Sequence, residues 1–222
     1  MPQKQLKCAN LCSIIYRIAY YIFIFRKEID MKLLEDRILK DGHIGADNVL
    51  KVDSFLNHQI DVGFVCELGK EFYRLFKDEN ITKILTIEAS GIGIACLTAQ
   101  YFNVPVVFAK KTKTINIYSD TYNATVHSYT HKKDYNIVVS KEFLNKDDNV
   151  LIIDDFLAKG SALSALLMLI EKAGAKTAGA GIVIEKAYQG GGNLVRDMGV
   201  RVESLAKIKS ISEKDGIVFC KQ

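Results

Sequence analysis

The chain has 222 residues, 49% of them hydrophobic, and a chain of that size buries about 70% of its unfolded surface in one compact domain. Lys and Arg total 30 against 26 Asp and Glu, a net charge of only +4, which gives no signature of nucleic-acid binding and suits a small anionic substrate. The five cysteines, Cys8, Cys12, Cys66, Cys96 and Cys220, form no Cys-x-x-Cys pair, which excludes a disulfide framework or zinc ribbon and points to a reducing cytoplasm.

Residues 1–30 differ in character from the rest. Leu11 to Phe25 is an apolar run of 15 residues interrupted by Arg17, too short to cross a bilayer comfortably. Lys4 and Lys7 precede it as in a secretory leader, but no small-x-small cleavage site follows. The segment is expected to be an upstream extension, for which a misassigned start is one origin, with no membrane role expected and a membrane-touching segment as the alternative reading. An amphipathic helix is predicted to begin at Met31, with Leu33, Leu34, Ile38 and Leu39 on its apolar face.

Beyond Met31 no repeat or low-complexity linker divides the chain. Ile81–Ile87 reads as a strand and Ile92–Phe102 as a helix. Between them Glu88, Ala89, Ser90 and Gly91 make a turn in which glycine lets backbone approach a diphosphate. Val104–Ala109 is the next predicted strand, followed by the basic residues Lys110, Lys111 and Lys113. Tyr118 to Val139 alternates polar and apolar residues at strand spacing, with a charged tip at His131 to Asp134, and is predicted to be a hairpin arm.

Val150–Ile153 is a continuous apolar run of the kind buried on both faces of a parallel sheet, so Asp154 and Asp155 are expected to emerge at a strand end, where such sheets bind ligands. The turn Ala158-Lys159-Gly160-Ser161-Ala162 follows and opens a predicted helix, Leu163–Lys172, closed by Gly174. The first N–H groups of a helix have no partner inside it. Charge-assisted hydrogen bonds are worth about 1.5–3 kcal/mol each, against about 0.3–1 kcal/mol for the helix dipole, so loop amides dominate the affinity of such a turn for phosphate. Paired carboxylates accept hydrogen bonds from vicinal hydroxyls. Together these features describe a site for a phosphorylated sugar. Thr177–Ile184 is a further strand, and Tyr188 to Asn193, with three consecutive glycines, is expected to be a flexible turn. Strands and helices alternating in this order mean an α/β fold.

Four apolar residues, Asp-Asp, an apolar residue and a small-residue turn containing Gly-Ser resemble the phosphoribosyl diphosphate (PRPP) signature of the type I phosphoribosyltransferases. Lys159 stands where threonine is common in that family. From Met31 to Cys220 the chain is similar to the bacterial xanthine phosphoribosyltransferases, a purine-salvage family. The resemblance implies a central, mainly parallel sheet flanked by helices, with a small hood over the base site, as a phosphoribosyltransferase domain spanning residues 31–222. It implies conversion of xanthine and PRPP to XMP and diphosphate in the cytoplasm by a homodimer, with Mg2+ carried in on PRPP and no metal bound directly by the protein.

The same resemblance implies residue roles. Asp154 and Asp155 are the catalytic acids that hold the ribose. Ala158, Lys159, Gly160, Ser161 and Ala162 hold the 5′-phosphate. Glu88, Ala89, Ser90 and Gly91, with Lys110 and Lys111, face the diphosphate. Ser128, Tyr129 and Thr130 belong to an arm that closes over the substrate and excludes water. Leu50, Asn57 and Lys186 recognise the base: Leu50 packs the purine face, the Asn57 amide both donates and accepts, and the Lys186 ammonium suits an oxo-purine better than adenine.

Other readings fit less well. Gly91 and Gly93 supply the start of a dinucleotide fingerprint, but position 96 is Cys and no acid stands about twenty residues on. His127 and His131 lie four apart, as zinc ligands do on a helix, but the segment reads as strand and lacks the accompanying glutamate. A non-catalytic, purine-responsive regulator would need a DNA-binding domain ahead of the PRPP site, for which residues 1–30 are too few and too apolar. A transferase for guanine, hypoxanthine, adenine or orotate remains the closest alternative.

Overall fold

Side chains alternate faces along a strand, and the alternation in Asn149–Leu157 organises the molecule. Val150 and Ile152 belong to one buried cluster, Leu151 and Ile153 to another, so this strand is covered on both faces, as central parallel strands are. The computed structural model describes residues 32–45, 49–112, 120–128, 133–212 and 214–221. The expected extension over 1–30, Lys113, Tyr129, Thr130 and His131 lie outside the described residues.

In chain order, helix α1 (32–41) leads to a small two-stranded sheet, β1 (His43–Ile44) and β2 (Leu50–Lys51), and a π-helical turn at Asp53–Asn57. Helix α2 (Val62–Phe76) precedes β3 (Lys83–Ile87), α3 (Ser90–Phe102) and β4 (Val106–Thr112). A hairpin of β5 (Thr121–Ser128) and β6 (Lys133–Ser140) follows, then β7 (Asn149–Leu157), α4 (Ser161–Lys172) and β8 (Lys176–Lys186). A 3₁₀ turn at Ala187–Gln189, α5 (Gly191–Asp197), β9 (Val202–Ser212) and β10 (Gly216–Phe219) complete the described chain. The eight-stranded sheet has the order β10-β9-β8-β7-β3-β4-β6-β5. Strands β9, β8, β7, β3 and β4 are mutually parallel, and the sheet is finished by antiparallel partners at both ends.

Helix α4 and the buried residues of the hairpin, Ala124, Val126, Ile137 and Val139, close one face of the sheet. Helices α1, α2 and α3 and the Leu50–Leu56 segment close the other. The segment before α2 is the hood. Arg37 of α1 pins it, donating to Asp61 Oδ2 at 3.0 Å with its guanidinium 5.1 Å from the centre of the Phe55 ring and 5.2 Å from that of Phe64. Asp61 in turn caps α2 by accepting from the Phe64 N–H at 3.1 Å.

Three expectations need correction. Strand β7 does not stop at Ile153; it runs to Leu157, so Asp154 and Asp155 lie within it and are only 5% and 9% exposed. Strand β4 likewise extends through Lys110 and Lys111, which are strand residues and not a turn. The glycine run is not a flexible turn: Gly191 and Gly192 are buried in the first turn of α5. Poor helix propensity is overridden there by packing that only glycine permits. A Cβ on Gly191 would overlap the Ala158 carbonyl and the Gly160 nitrogen, and one on Gly192 would overlap the Glu185 carboxylate.

Candidate active site

The sheet changes direction between β7 and β3. Chain leaving β3 crosses through α3 to β4 on one side, and chain leaving β7 crosses through α4 to β8 on the other. A ligand crevice opens at the carboxyl ends of parallel strands at such a switch point. The turns leaving these two adjacent strands are Glu88–Ser90 and Ala158–Gly160, two of the segments singled out in the sequence.

Neither helix that follows has a side-chain cap. Ala89 at the start of α3 and Gly160 at the start of α4 make no side-chain capping hydrogen bond, so two rows of N–H donors open at the same edge of the sheet. Gly160 has φ +86, a left-handed conformation that residues with a Cβ rarely adopt. Ser161 and Ala162 are half-buried and Lys159 is exposed.

Asp154 supports the first of these turns. Asp154 Oδ1 lies 3.1 Å from the point where a Cβ on Gly91 would sit, so the Glu88–Gly91 loop rests on the Asp154 carboxyl. The same point would overlap the Thr86 hydroxyl. Thr86 is fully buried and its Oγ1 has no hydrogen-bond partner, a polar contact beneath the loop that the sequence reading missed. The Glu88–Ala89 peptide is cis. Glu88 Oε1 accepts from the Lys111 N–H at 2.6 Å and the Glu88 N–H donates to Ala109 at 3.1 Å, which fixes the loop to β4.

Consecutive strand residues leave opposite faces, yet the Asp154 and Asp155 carboxyls still act on each other. Burial, reinforced by the Asp155 carboxylate, raises the Asp154 carboxyl well above its ordinary 3.8, while Lys111 pulls it down. Burial, with the Asp154 charge second, also raises the Tyr135 phenol, and the Lys111 ammonium lies 5.4 Å from the Tyr135 ring centre. Asp154, Lys111 and Tyr135 therefore form one electrostatic group. Asp155 acts on Asp154 and also reaches Lys186. It supports the charged form of Lys186, whose pKa burial lowers below its ordinary 10.5. The Lys186 ammonium sits 5.1 Å from the centre of the Phe156 ring. Phe156 and Tyr135 were not singled out in the sequence; the aromatic directly after Asp-Asp was the available signal for the first.

The remaining predicted residues are placed less centrally. Lys110 lies 5.8 Å from the Phe108 ring centre. With Lys111 it helps line a cavity of about 670 Å³ bounded by Val106, Phe108, Val138 and Phe143. That cavity touches neither Asp154, Asp155 nor the 158–162 turn, so volume alone does not locate the chemistry. Leu50 is 4% exposed and packs in the hood core. Asn57 ends the π-helical turn with its Oδ1 buried and without a partner, an acceptor awaiting a donor. Among the described residues no group of three or more His, Cys, Asp and Glu side chains converges to hold a metal.

Comparison with known proteins agrees with this geometry. Residues 53–208 match the family described as "Phosphoribosyl transferase domain". The "Xanthine phosphoribosyltransferase" of Lachnoclostridium phytofermentans is 60% identical over 85% of this chain and 97% of its own length. That of Ruminiclostridium cellulolyticum is 58% identical over 82% and 95%. Among solved structures, the APRTase from Giardia lamblia complexed with 9-deazaadenine superposes with a TM-score of 0.67 at 24% identity, covering 78% of this chain and 97% of that one. The latter likeness establishes the fold. Open helix starts at the switch point, an acid pair on β7 beside the first of them and this degree of identity agree: the chain belongs to the phosphoribosyltransferase family, among the bacterial xanthine phosphoribosyltransferases.

Proposed function

We propose that this chain transfers the phosphoribosyl group of PRPP to xanthine, releasing diphosphate and forming XMP for purine salvage. The bond from C1′ to the diphosphate oxygen breaks, a bond from C1′ to a ring nitrogen of the base forms, and the proton of that nitrogen leaves to solvent. Such a reaction needs alignment and charge stabilisation more than covalent help from the protein. The observation that carries the reading is the Asp154 carboxyl set against the uncapped start of α3, on the strand that runs into the uncapped start of α4.

In this reading the N–H groups of Ala158 to Ala162 hold the 5′-phosphate and Asp154 and Asp155 accept from the ribose hydroxyls. The Glu88–Gly91 loop and Lys111, with Lys110 further out, face the diphosphate. Lys186 donates to an exocyclic oxygen of the base, the unpartnered Asn57 amide oxygen accepts from a ring N–H, and Leu50 and Phe156 close the apolar sides. The oxygen donors of the acid pair are of the type Mg2+ takes, but in this reading the cation is carried by PRPP and not bound directly by the protein, and the chemistry it would supply is to neutralise charge on the departing diphosphate. The transferase domain is residues 31–222, with 1–30 an extension ahead of it, working in the cytoplasm as a homodimer.

Incubating the purified chain with PRPP, Mg2+ and a panel of xanthine, guanine, hypoxanthine and adenine, and measuring diphosphate release, tests the assignment. Turnover fastest with xanthine is expected. Preference for another base would overturn the specificity, and PRPP binding without turnover on any base would overturn the activity.

A further inference from the structure

Glu185 is only 2% exposed, one residue before Lys186 on β8. Its carboxylate is fully engaged. Arg196 donates from Nη1 to Oε1 at 2.9 Å and from Nη2 to Oε2 at 2.7 Å, and the Ser204 hydroxyl donates to Oε2 at 2.5 Å. Burial acts to raise the Glu185 pKa, but the bonds from Arg196 and Ser204 and the charges of Arg196 and Lys207 outweigh it and leave the carboxyl below its ordinary value. Arg196 also donates from Nε and Nη2 to the Val202 carbonyl at 3.3 and 3.2 Å. A bidentate guanidinium bonded this way fixes orientation as well as charge.

Arg196 sits on α5, a seven-residue helix that begins with two glycines and has little stability of its own. Its position is therefore set by what it is tied to. The other end of α5 touches the phosphate turn: the Gly191 N–H donates to the Ala158 carbonyl at 3.1 Å, and a Cβ on Gly160 would lie 3.3 Å from both Gly191 Cα and Gly191 O. Backbone meets backbone there with no side chain between.

We propose that Arg196 is a positioning residue for the phosphate turn: its fork on Glu185 holds α5 so that Gly191 braces Ala158–Gly160 in the shape that presents the loop amides. The assignment rests on the reading of that turn as the 5′-phosphate cradle. Both Glu185 oxygens being occupied, the pair acts through the loop and not on the substrate. Gly192 belongs to the same device, since a Cβ there would push into the Glu185 carboxylate and the Arg196 guanidinium.

Steady-state kinetics of the full chain with PRPP, Mg2+ and xanthine test this. Arg196→Gln is expected to raise KM for PRPP about fivefold or more, with kcat and KM for xanthine within about twofold of wild type. Arg196→Lys keeps the charge but not the fork and is expected to recover part of that loss. An unchanged KM for PRPP in a folded Arg196→Gln protein overturns the proposal whatever its melting temperature, because the pair then only stabilises the fold. If Arg196→Gln does not fold, Ser204→Ala decides, since it removes one bond to the same carboxylate: a KM for PRPP raised about twofold supports the brace, and an unchanged one overturns it. Wild-type protein that binds no PRPP refutes the cradle itself, and the brace with it, before any variant is made.

Discussion

Because the Asp154 carboxyl is buried and beside a second carboxylate at Asp155, which the Asp155 N–H bond and Lys111 offset only in part, its folded-state pKa lies well above the 3.8 at which it ionises when exposed. Between those two values the unfolded chain binds fewer protons than the folded one, so this group's contribution to stability falls as pH rises across the window. Asp154→Asn removes the titration and keeps the shape. It is expected to stabilise the free protein at neutral pH by about 1 kcal/mol, or about 2–4 °C in melting temperature, with the gain disappearing in acid. Urea unfolding at several pH values measures it, and an Asn variant less stable at pH 7 than wild type would refute it. The same variant should lose at least about tenfold in kcat/KM if the acid that costs stability is, as proposed, the one that faces the ribose. Lys186 carries the complementary prediction. Burial lowers its pKa below 10.5, so a base held by its ammonium should bind more weakly as pH rises toward that lowered value. Lys186→Ala should raise KM for xanthine while leaving KM for PRPP near wild type, and equal effects on both would argue against a role at the base.

The hairpin of β5 and β6 shows how an element can serve a site and a core together. Its register is unbroken from Thr121 opposite Ser140 to Ser128 opposite Lys133, and Ile137, fully buried, packs with α4 residues in one cluster. The base of the arm is thus structural. Ile137→Ala should cost about 2–5 kcal/mol of unfolding free energy, read from denaturant midpoints, because the cavity lies in a packed interior. A loss under about 1 kcal/mol would mean that the arm moves independently of the core. The arm, the parallel strands β3, β4, β7 and β8 and both helix-opening turns were legible in the sequence because each has a local signature: alternation, an apolar run, or small residues between strand and helix; β9 was not read. Other elements were not read. Helix α2 carries Val65, Leu68, Phe72 and Phe76 at helical spacing as its buried stripe, a signal that was present and passed over. The start of α5 could not be read locally at all, since its glycines are there to let Ala158, Gly160 and Glu185 come close, and those contacts exist only in the folded chain. The burial of Asp154 and Asp155 was missed for a related reason: apolar periodicity stops at Ile153, whereas strand pairing with β8 continues to Leu157.

Across the whole molecule, the candidate site draws on segments far apart in the chain. The hood residues Leu50, Val52 and Phe55 share a core with Ile184, Ala206 and Ile208 of the last long strands, while the Ala158–Gly160 turn packs against α5 and the Glu88–Gly91 loop rests on Asp154. A ligand that touches several such segments binds only when all are in place, so it stabilises the entire fold. PRPP with Mg2+ at about a hundred times its Kd should add about 2.7 kcal/mol, which for a chain of this size is about 5–10 °C in melting temperature. Gly160→Val isolates the cradle's share of that effect. Valine at φ +86 is strained, and its Cβ would press at 3.3 Å on Gly191 Cα and O, so the loop must move away from the position that aims its amides. The variant should melt lower than wild type and show no PRPP-dependent rise, while titration with xanthine alone shifts both proteins equally. A full PRPP-induced rise in folded Gly160→Val would mean that the phosphate is held elsewhere. In that case the uncapped start of α4 would lose its claim as the anchor, and the start of α3 beyond Glu88–Gly91 would be the remaining row of free N–H groups at the switch point.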